Sequence, residues 1–497
     1  MPTHTTVVVM PEGKEPEAGG ASPGMIDADA ERRLVRKIDL RVWPILFVVY
    51  MMSFLDRINI SNARIQGMTE ELGLYGDRFN VALFVYFVPY ILFEVPSNMV
   101  FRKLNPAYYL SFLMFSWSII NMCMGFVTSY EGLVVLRFFL GAFEAGVMPG
   151  IVYLTSMYYK RHEFQTRMSF FFCSTVIGGA FGGLLAYAIA SLDGQHHLAG
   201  WRWIFIIEGT ITTLVAVVSF FLIADWPEHC RFLTPQEKQL LQLRLADDSA
   251  GSDSGSAARM DTLNAYAYRR ILTDWKIWLS AIVYMGVGIT GYATTFFLPT
   301  ILREFGWTAR AAQVHTIPVY AAAAVGMVTV AYLSDRLRHR YAFVMLSCVV
   351  CTIGYGMLLG QGQGSEGLSS AAKYGAVFLV AVGGFVGTPI ALAWLANNVA
   401  GHWKRSFSSA IQVALGNIAG IVAALIFRED QAPRYQTGYG TCVAMVWLGA
   451  VAATLLFTGM RIENKLRDAG RRDDRLARPK EEVDNMGDYH PAFRFTL

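Results

Sequence analysis

The chain has 497 residues, of which 54% are hydrophobic and only 16% charged, whereas soluble domains carry about 25% charge. Too few charged groups remain to coat a water-soluble protein of this size, which excludes a soluble enzyme, a disordered chain and a nucleic-acid-binding protein. The net charge of +4 has a simple origin, because the Lys and Arg residues stand where the rules of membrane insertion place them.

Residues 1–41 hold only short apolar stretches such as TTVVVM, so no cleavable signal peptide is expected and the first apolar block serves as its own insertion signal. Apolar blocks of about 20 residues follow, each long enough to cross roughly 30 Å of hydrocarbon as a helix. They cover 42–63, 79–99, 107–127, 131–153, 168–190, 203–223, 275–297, 313–333, 341–360, 374–396, 406–426 and 438–460. None shows the alternation of a barrel strand. The fold class is therefore an all-α membrane protein with twelve transmembrane helices in two six-helix halves. Its expected segments are a cytosolic N-terminal tail (1–41), a first bundle (42–223), a central cytosolic loop (224–274), a second bundle (275–460) and a cytosolic C-terminal tail (461–497). Arg32, Arg33, Arg36, Lys37 and Arg41 crowd the start of helix 1, against Arg64 and Arg78 beyond it, which places the N-terminus, and with an even number of spans the C-terminus, in the cytosol.

The central loop contains DSAGSDSGSAA, a Ser/Gly-rich linker, preceded by TPQEKQLLQLRL, which reads as a surface helix with Thr234 as N-cap and Pro235 at its first position. A basic turn recurs after helices 2 and 8 (SNMVFRKLNPAYY and AYLSDRLRHR), as duplicated halves would show. Of the six Cys residues, Cys123, Cys173, Cys348, Cys351 and Cys442 lie within spans and read as small apolar residues, and the CxxC of Cys348 and Cys351 lacks the His or second pair that a metal or redox site needs. Gly286, Gly288 and Gly291 spell GxGxxG inside an apolar helix with no preceding strand, and no phosphate-binding loop is present, so no cofactor and no ATP-driven step is expected. GGAFGG in helix 5 and GNIAG in helix 11 read as close helix-packing surfaces.

Ionisable groups inside hydrocarbon are costly and usually mark a pathway. Asp56, Arg57, Glu94, Arg137 and Glu144 lie inside helices of the first half, with Glu208 near one end, whereas helices 7–12 carry charge only at their ends. At 1.5 Å per residue, Asp56 and Arg57 sit roughly 21 Å along helix 1, Arg137 about 9 Å down helix 4 and Glu144 near its middle. Seven residues return nearly to the same helical face, so Arg137 and Glu144 are stacked two turns apart. Such a cluster either pins helices together or surrounds a cavity. In the second case Arg57 and Arg137 grip a carboxylate, for which their forked donors are suited, and Asp56 and Glu144 carry protons. An arriving anion takes the Arg, the carboxylate left behind takes up a proton, and the neutralised site can close. Glu94 suits an inner gate or an interhelical hydrogen bond, Glu208 a structural role, and Thr388 beside Pro389 a broken turn.

Several stretches together resemble the major facilitator superfamily, and within it the anion:cation symporter branch with its fungal allantoate and nicotinate permease-like proteins. They are FLDRINISNARIQG, YILFEVPSN, LRFFLGAFEAGVMPG, YYKRHEFQTR, GWRWIFIIEG and NNVAGHWKRSFSSA, besides SDRLRHR after helix 8. The first basic turn departs from the superfamily pattern in lacking its acidic residue. The resemblance implies a proton-coupled symporter of a small organic anion that works by alternating access, as a monomer in the plasma membrane, with no enzymatic activity. It implies the same roles for Asp56, Arg57, Arg137 and Glu144, and adds Tyr90 and Asn417 as residues that line the cavity. A proton-coupled exporter of a drug or secondary metabolite, or a nutrient sensor that moves nothing, remains compatible with the residues themselves.

Overall fold

The computed structural model describes residues 28–250, 269, 271–337, 339–361, 368–400, 402–477, 483 and 486–497; the Ser/Gly-rich linker beyond Ala250 lies outside them. Among the described residues, twelve helical spans are long and apolar enough to cross a membrane. They are α1 (Ala28–Ala63), α2 (Arg78–Phe84 and Phe87–Phe101), α3 (Pro106–Met124), α4 (Tyr130–Glu144 and Val147–Ser156), α5 (Arg161–Ile189) and α6 (Gly200–Leu222), then α7 (Trp275–Glu304), α8 (Ala309–Leu337), α9 (Arg340–Leu359), α10 (Ser370–Asn398), α11 (His402–Ile426) and α12 (Gln436–Asp468).

Local sequence explains where these helices begin. Asn105 caps α3, accepting from the Ala107 backbone N–H at 2.9 Å, with Pro106 in the first turn where its missing donor costs nothing. Ser129 caps α4 and Asp274 caps α7 in the same manner. The surface helix Pro235–Ala250 opens on a reciprocal capping box, the Glu237 N–H donating to Thr234 Oγ1 and the Thr234 N–H to the Glu237 carboxylate.

Two spans are interrupted, α2 at Val85–Tyr86 and α4 at Ala145–Gly146. Each break falls four residues before a proline, Pro89 and Pro149, at the carbonyl that thereby loses its helical donor. Each break packs against the body of the other helix. A Cβ on Gly141 would strike the Tyr86 carbonyl, and one on Gly146 would strike Ser97, so only glycine lets the two chains approach this closely. The expected break at Thr388 is absent: α10 is continuous through Pro389, and the Thr388 hydroxyl donates to the Gly384 carbonyl at 3.0 Å within its own helix.

The glycines of α5 serve two interfaces, Gly178 and Gly182 against α1 inside the first half and Gly179 and Gly183 against Tyr320 and Thr316 of α8 across the boundary between the halves. At the face away from the chain termini the halves are tied directly. Asn80 donates to the Phe427 carbonyl at 3.0 Å, Arg303 to the Ile65 carbonyl at 3.2 Å and Arg310 to the Ala190 carbonyl at 2.9 Å, while Phe79 packs edge-on against Phe297.

At the face of the termini, each half carries its own charge cluster. In the first, the surface helix meets α1 and α5 through Lys37–Glu237 (2.7 Å), Arg244–Glu31 (2.7 Å) and Arg244–Glu163, and Lys160, just before α5, pairs with the same Glu31 of α1 (2.6 Å). In the second, residues 486–497 fold back over the helix ends. Asp488 is fully buried between Lys276 at the start of α7 (2.8 Å) and Lys404 at the start of α11 (2.7 Å), and the Thr496 carbonyl accepts from Trp394 and Asn398 of α10.

Candidate functional site

Consecutive residues on a helix point about 100° apart, and α1 uses this to divide its acid from its base. Tyr50, Ser53 and Arg57 share one face. Ser53 Oγ donates to Glu144 Oε1 at 2.6 Å, and Arg57 Nη2 donates to the same oxygen at 2.5 Å. The Arg57 guanidinium also lies over the rings of Tyr86 and Tyr90, 5.1 and 5.3 Å from their centroids, where a cation is held by the negative face of the ring. Arg57, Glu144 and Tyr90 are thus brought together as the sequence suggests.

Asp56 faces the other way. Its carboxylate accepts from Asn121 Nδ2 at 2.7 Å and from Trp117 Nε1 at 3.1 Å, both on α3, so it lies in the core of the first half rather than against Arg57. Trp117 and Asn121 are one helical turn apart, a pairing that a scan of the spans for charge does not register.

Arg137 on α4 is 1% exposed. Its Nε and Nη2 have no hydrogen-bond partner, nor does Nε of Arg57 or Oε2 of Glu144. Both guanidinium groups therefore point into protein and not into lipid, with donors uncommitted. Most buried polar groups in folded proteins are satisfied, so these open donors stand out at the centre of the first half.

The second half contributes neutral polar groups. Tyr292 on α7 donates to Asn417 Oδ1 at 3.0 Å, and Asn417 Nδ2 reaches Glu94 Oε2 of α2 at 3.4 Å. Asn417 accordingly belongs to a chain that joins the two halves at mid-membrane, and Glu94 makes the interhelical hydrogen bond rather than standing alone. Phe87 packs edge-on against Tyr292, which stacks on Phe296. With Tyr50, Tyr86 and Tyr284, these rings make an aromatic wall opposite Arg57. Sequence inspection missed most of that wall because aromatic residues are common in any span.

The sequence matches the profile described as Major Facilitator Superfamily over residues 46–424. The chain belongs to the major facilitator superfamily. It is an integral membrane transporter and not an enzyme. Among its relatives, an uncharacterized transporter of Schizosaccharomyces pombe is 36% identical over 473 residues, covering 95% of this chain and 91% of the relative. The MFS-type transporter cnsO of Penicillium expansum is 33% identical over 481 residues (94% and 91%), and the major facilitator-type transporter hxnP of Emericella nidulans 30% over 461 (91% and 90%). The fold of this superfamily member also matches the crystal structure of a bacterial homolog to the human lysosomal transporter Spinster in an inward-facing and occupied conformation. The TM-score is 0.62 at 17% identity, covering 89% of this chain and 98% of the other.

Proposed function

We propose that the protein is a proton-coupled symporter of a small organic carboxylate, of the allantoate and nicotinate permease-like kind, working as a monomer in the plasma membrane with both termini cytosolic. The observation that carries this reading is the pair of buried guanidiniums with uncommitted donors, Arg57 and Arg137, of which one is held by Glu144. Two forked cations suit a carboxylate bound through parallel N–H donors, and Tyr90 and the tyrosine wall with Asn417 suit the remainder of the ligand.

The exchange of partners runs through Glu144. An incoming carboxylate replaces it at Arg57, leaving Glu144, itself fully buried, with only the Ser53 hydroxyl and the neighbouring Tyr86. Uptake of a proton then removes a charge that low-dielectric surroundings would otherwise have to bear. Asp56, held by Trp117 and Asn121 on the opposite face of α1, is the second proton carrier. The loaded site is nearly neutral and can close from either face. One proton with a monoanion moves no net charge, while a second proton adds about 2.3 kcal/mol of drive per 100 mV.

Purified protein in vesicles with an imposed pH gradient, offered a panel of labelled carboxylates including nicotinate, allantoate, pantothenate and biotin, tests this. Wild type accumulates a panel member uphill, whereas Asp56→Asn and Glu144→Gln exchange it without accumulating it. Uphill uptake that survives both substitutions overturns the reading.

A further inference from the structure

Transport as proposed leaves one deeply buried carboxyl without a task. Glu208 on α6 is 1% exposed, and neither of its oxygens has a hydrogen-bond partner. Asn59 of α1, also fully buried, is the neutral polar side chain set against its carboxyl. One turn along α6, the Thr212 hydroxyl stands beside the Asp56 carboxylate and is 3.9 Å from Met52 Sδ. Met52, Asp56 and Asn59 share the face of α1 that turns away from Arg57.

Glu208 and Thr212 on α6, and Asn59 and Asp56 on α1, thus form two facing steps. Counting along the helices, Glu208 is roughly 12 Å from the start of α6 and Asp56 about 10 Å from the end of α1, which puts the two within about one helical turn of each other in depth. The surroundings hold little other charge. Arg202, nearer the end of α6, is committed to Glu71 at 2.7 Å and to the Gly125 carbonyl at 3.0 Å. The α3 span Pro106–Met124 and the α5 span Phe171–Leu192 contain no charged residue, and the nearest ionic groups from α4 are Arg137 and Glu144, which act on Asp56. A buried carboxyl used only for packing is a poor choice, since an unpartnered polar group in such a place costs a few kcal/mol that Leu or Met would avoid. A carboxyl among neutral neighbours can instead hold and release a proton without breaking an ion pair, which Glu144 cannot do.

We infer that Glu208 shares the transported proton with Asp56 across Asn59 and Thr212, on the side of α1 that the anion does not reach. The transfer breaks the O–H bond of the Glu208 carboxylic acid and forms one on Asp56, and the negative charge moves the opposite way; nothing is oxidised or reduced. Glu208 is on this view a proton-holding residue that never meets the anion. The inference rests on the proposed role of Asp56.

The test needs no substrate. Infrared difference spectra of the whole protein in lipid, recorded while pH is stepped, report the C=O stretch of protonated carboxyls. Glu208→Gln should remove one titrating band and shift the midpoint of the Asp56 band. Asp56→Asn should remove the other and shift the Glu208 band in turn, and Asn59→Leu, which keeps both carboxyls, should uncouple the two midpoints. Glu208→Asp should restore a titrating band, and serves where Glu208→Gln lowers the yield of folded protein. A Glu208 band that never titrates, or whose midpoint ignores Asp56→Asn, overturns the inference. Because no anion is present, that failure is separate from failure of the symport reading, which uphill uptake by Asp56→Asn and Glu144→Gln decides.

Discussion

The two arginines at the centre of the first half are in different electrostatic positions, and this separates their expected phenotypes. Arg57 neutralises Glu144 at 2.5 Å, with side-chain exposures of 7% and 0%. Removing one member of such a pair leaves a buried charge uncompensated, at a cost of about 3–5 kcal/mol. Arg137 already has two unpartnered donors, so its removal deletes a burial cost along with a charge. Arg57→Met should therefore lower the thermal unfolding midpoint well below that of Arg137→Met, which should match or exceed wild type, while neither variant gains stability from added carboxylate. Equal destabilisation by the two substitutions would contradict the pairing. Four of the residues concerned, Asp56, Arg57, Arg137 and Glu144, are legible in the sequence because charge stands out in an apolar span. Their partners are not. That Asp56 turns to Trp117 and Asn121 depends on which helix packs against that side of α1, and a single sequence does not disclose neighbours.

At the scale of elements, the site is positioned by interruptions as much as by helices. Glu144 is the last residue before the break in α4, and Tyr86, whose ring lies under Arg57, is inside the break in α2. The prolines responsible are visible in the sequence, but Pro389 has the same local chemistry and leaves α10 unbroken, so the outcome is decided by what the neighbouring helix accommodates. Gly141→Ala tests this coupling. The added methyl meets the Tyr86 carbonyl, and overpacking of this kind typically costs about 1–3 kcal/mol. It should lower both the unfolding midpoint and anion affinity, the latter by moving Tyr86, whereas Gly440→Ala, at a position with open space around it, should change neither. The C-terminal strap gives a second element whose contribution can be read by pH. Burial pushes the Asp488 carboxyl up, but the attraction of Lys276 and Lys404 outweighs it and holds the group well below the usual carboxylate range. A carboxyl depressed in the folded state stabilises above its unfolded value, near 4, and that contribution fades as pH falls further. Wild type should thus unfold at a higher temperature than Asp488→Asn at neutral pH, with the difference shrinking as the medium is made acidic from about pH 4 downward.

For the whole molecule, two six-helix halves are readable from hydropathy alone, because spanning length and charge distribution are properties of the chain by itself. Which face is closed is a different kind of fact. It depends on a modest difference between two sets of contacts, and a carrier needs that difference to stay small enough for a ligand to reverse it. Here the closed face is the one opposite the termini, held by Asn80, Arg303 and Arg310 and by the close approach of α5 to α8. A side chain at Gly183 would collide with Thr316 and come within 3.0 Å of the Gln313 carbonyl, pressing the halves apart only at that face. Gly183→Val should therefore shift the population toward the arrangement open there without touching Arg57, Arg137 or either proton carrier. Asp77 and Asp430 are convenient reporters, since both are well exposed and both lie near Arg428, at 3.8 and 3.2 Å. Spin labels at these two positions should give a short, narrow distance distribution in the parent protein and a longer second component in Gly183→Val. Saturating carboxylate should redistribute the two components in the parent, because a ligand that binds the two arrangements unequally must move their balance. A single unchanged distance in both proteins would mean that the glycine seam does not govern opening at this face.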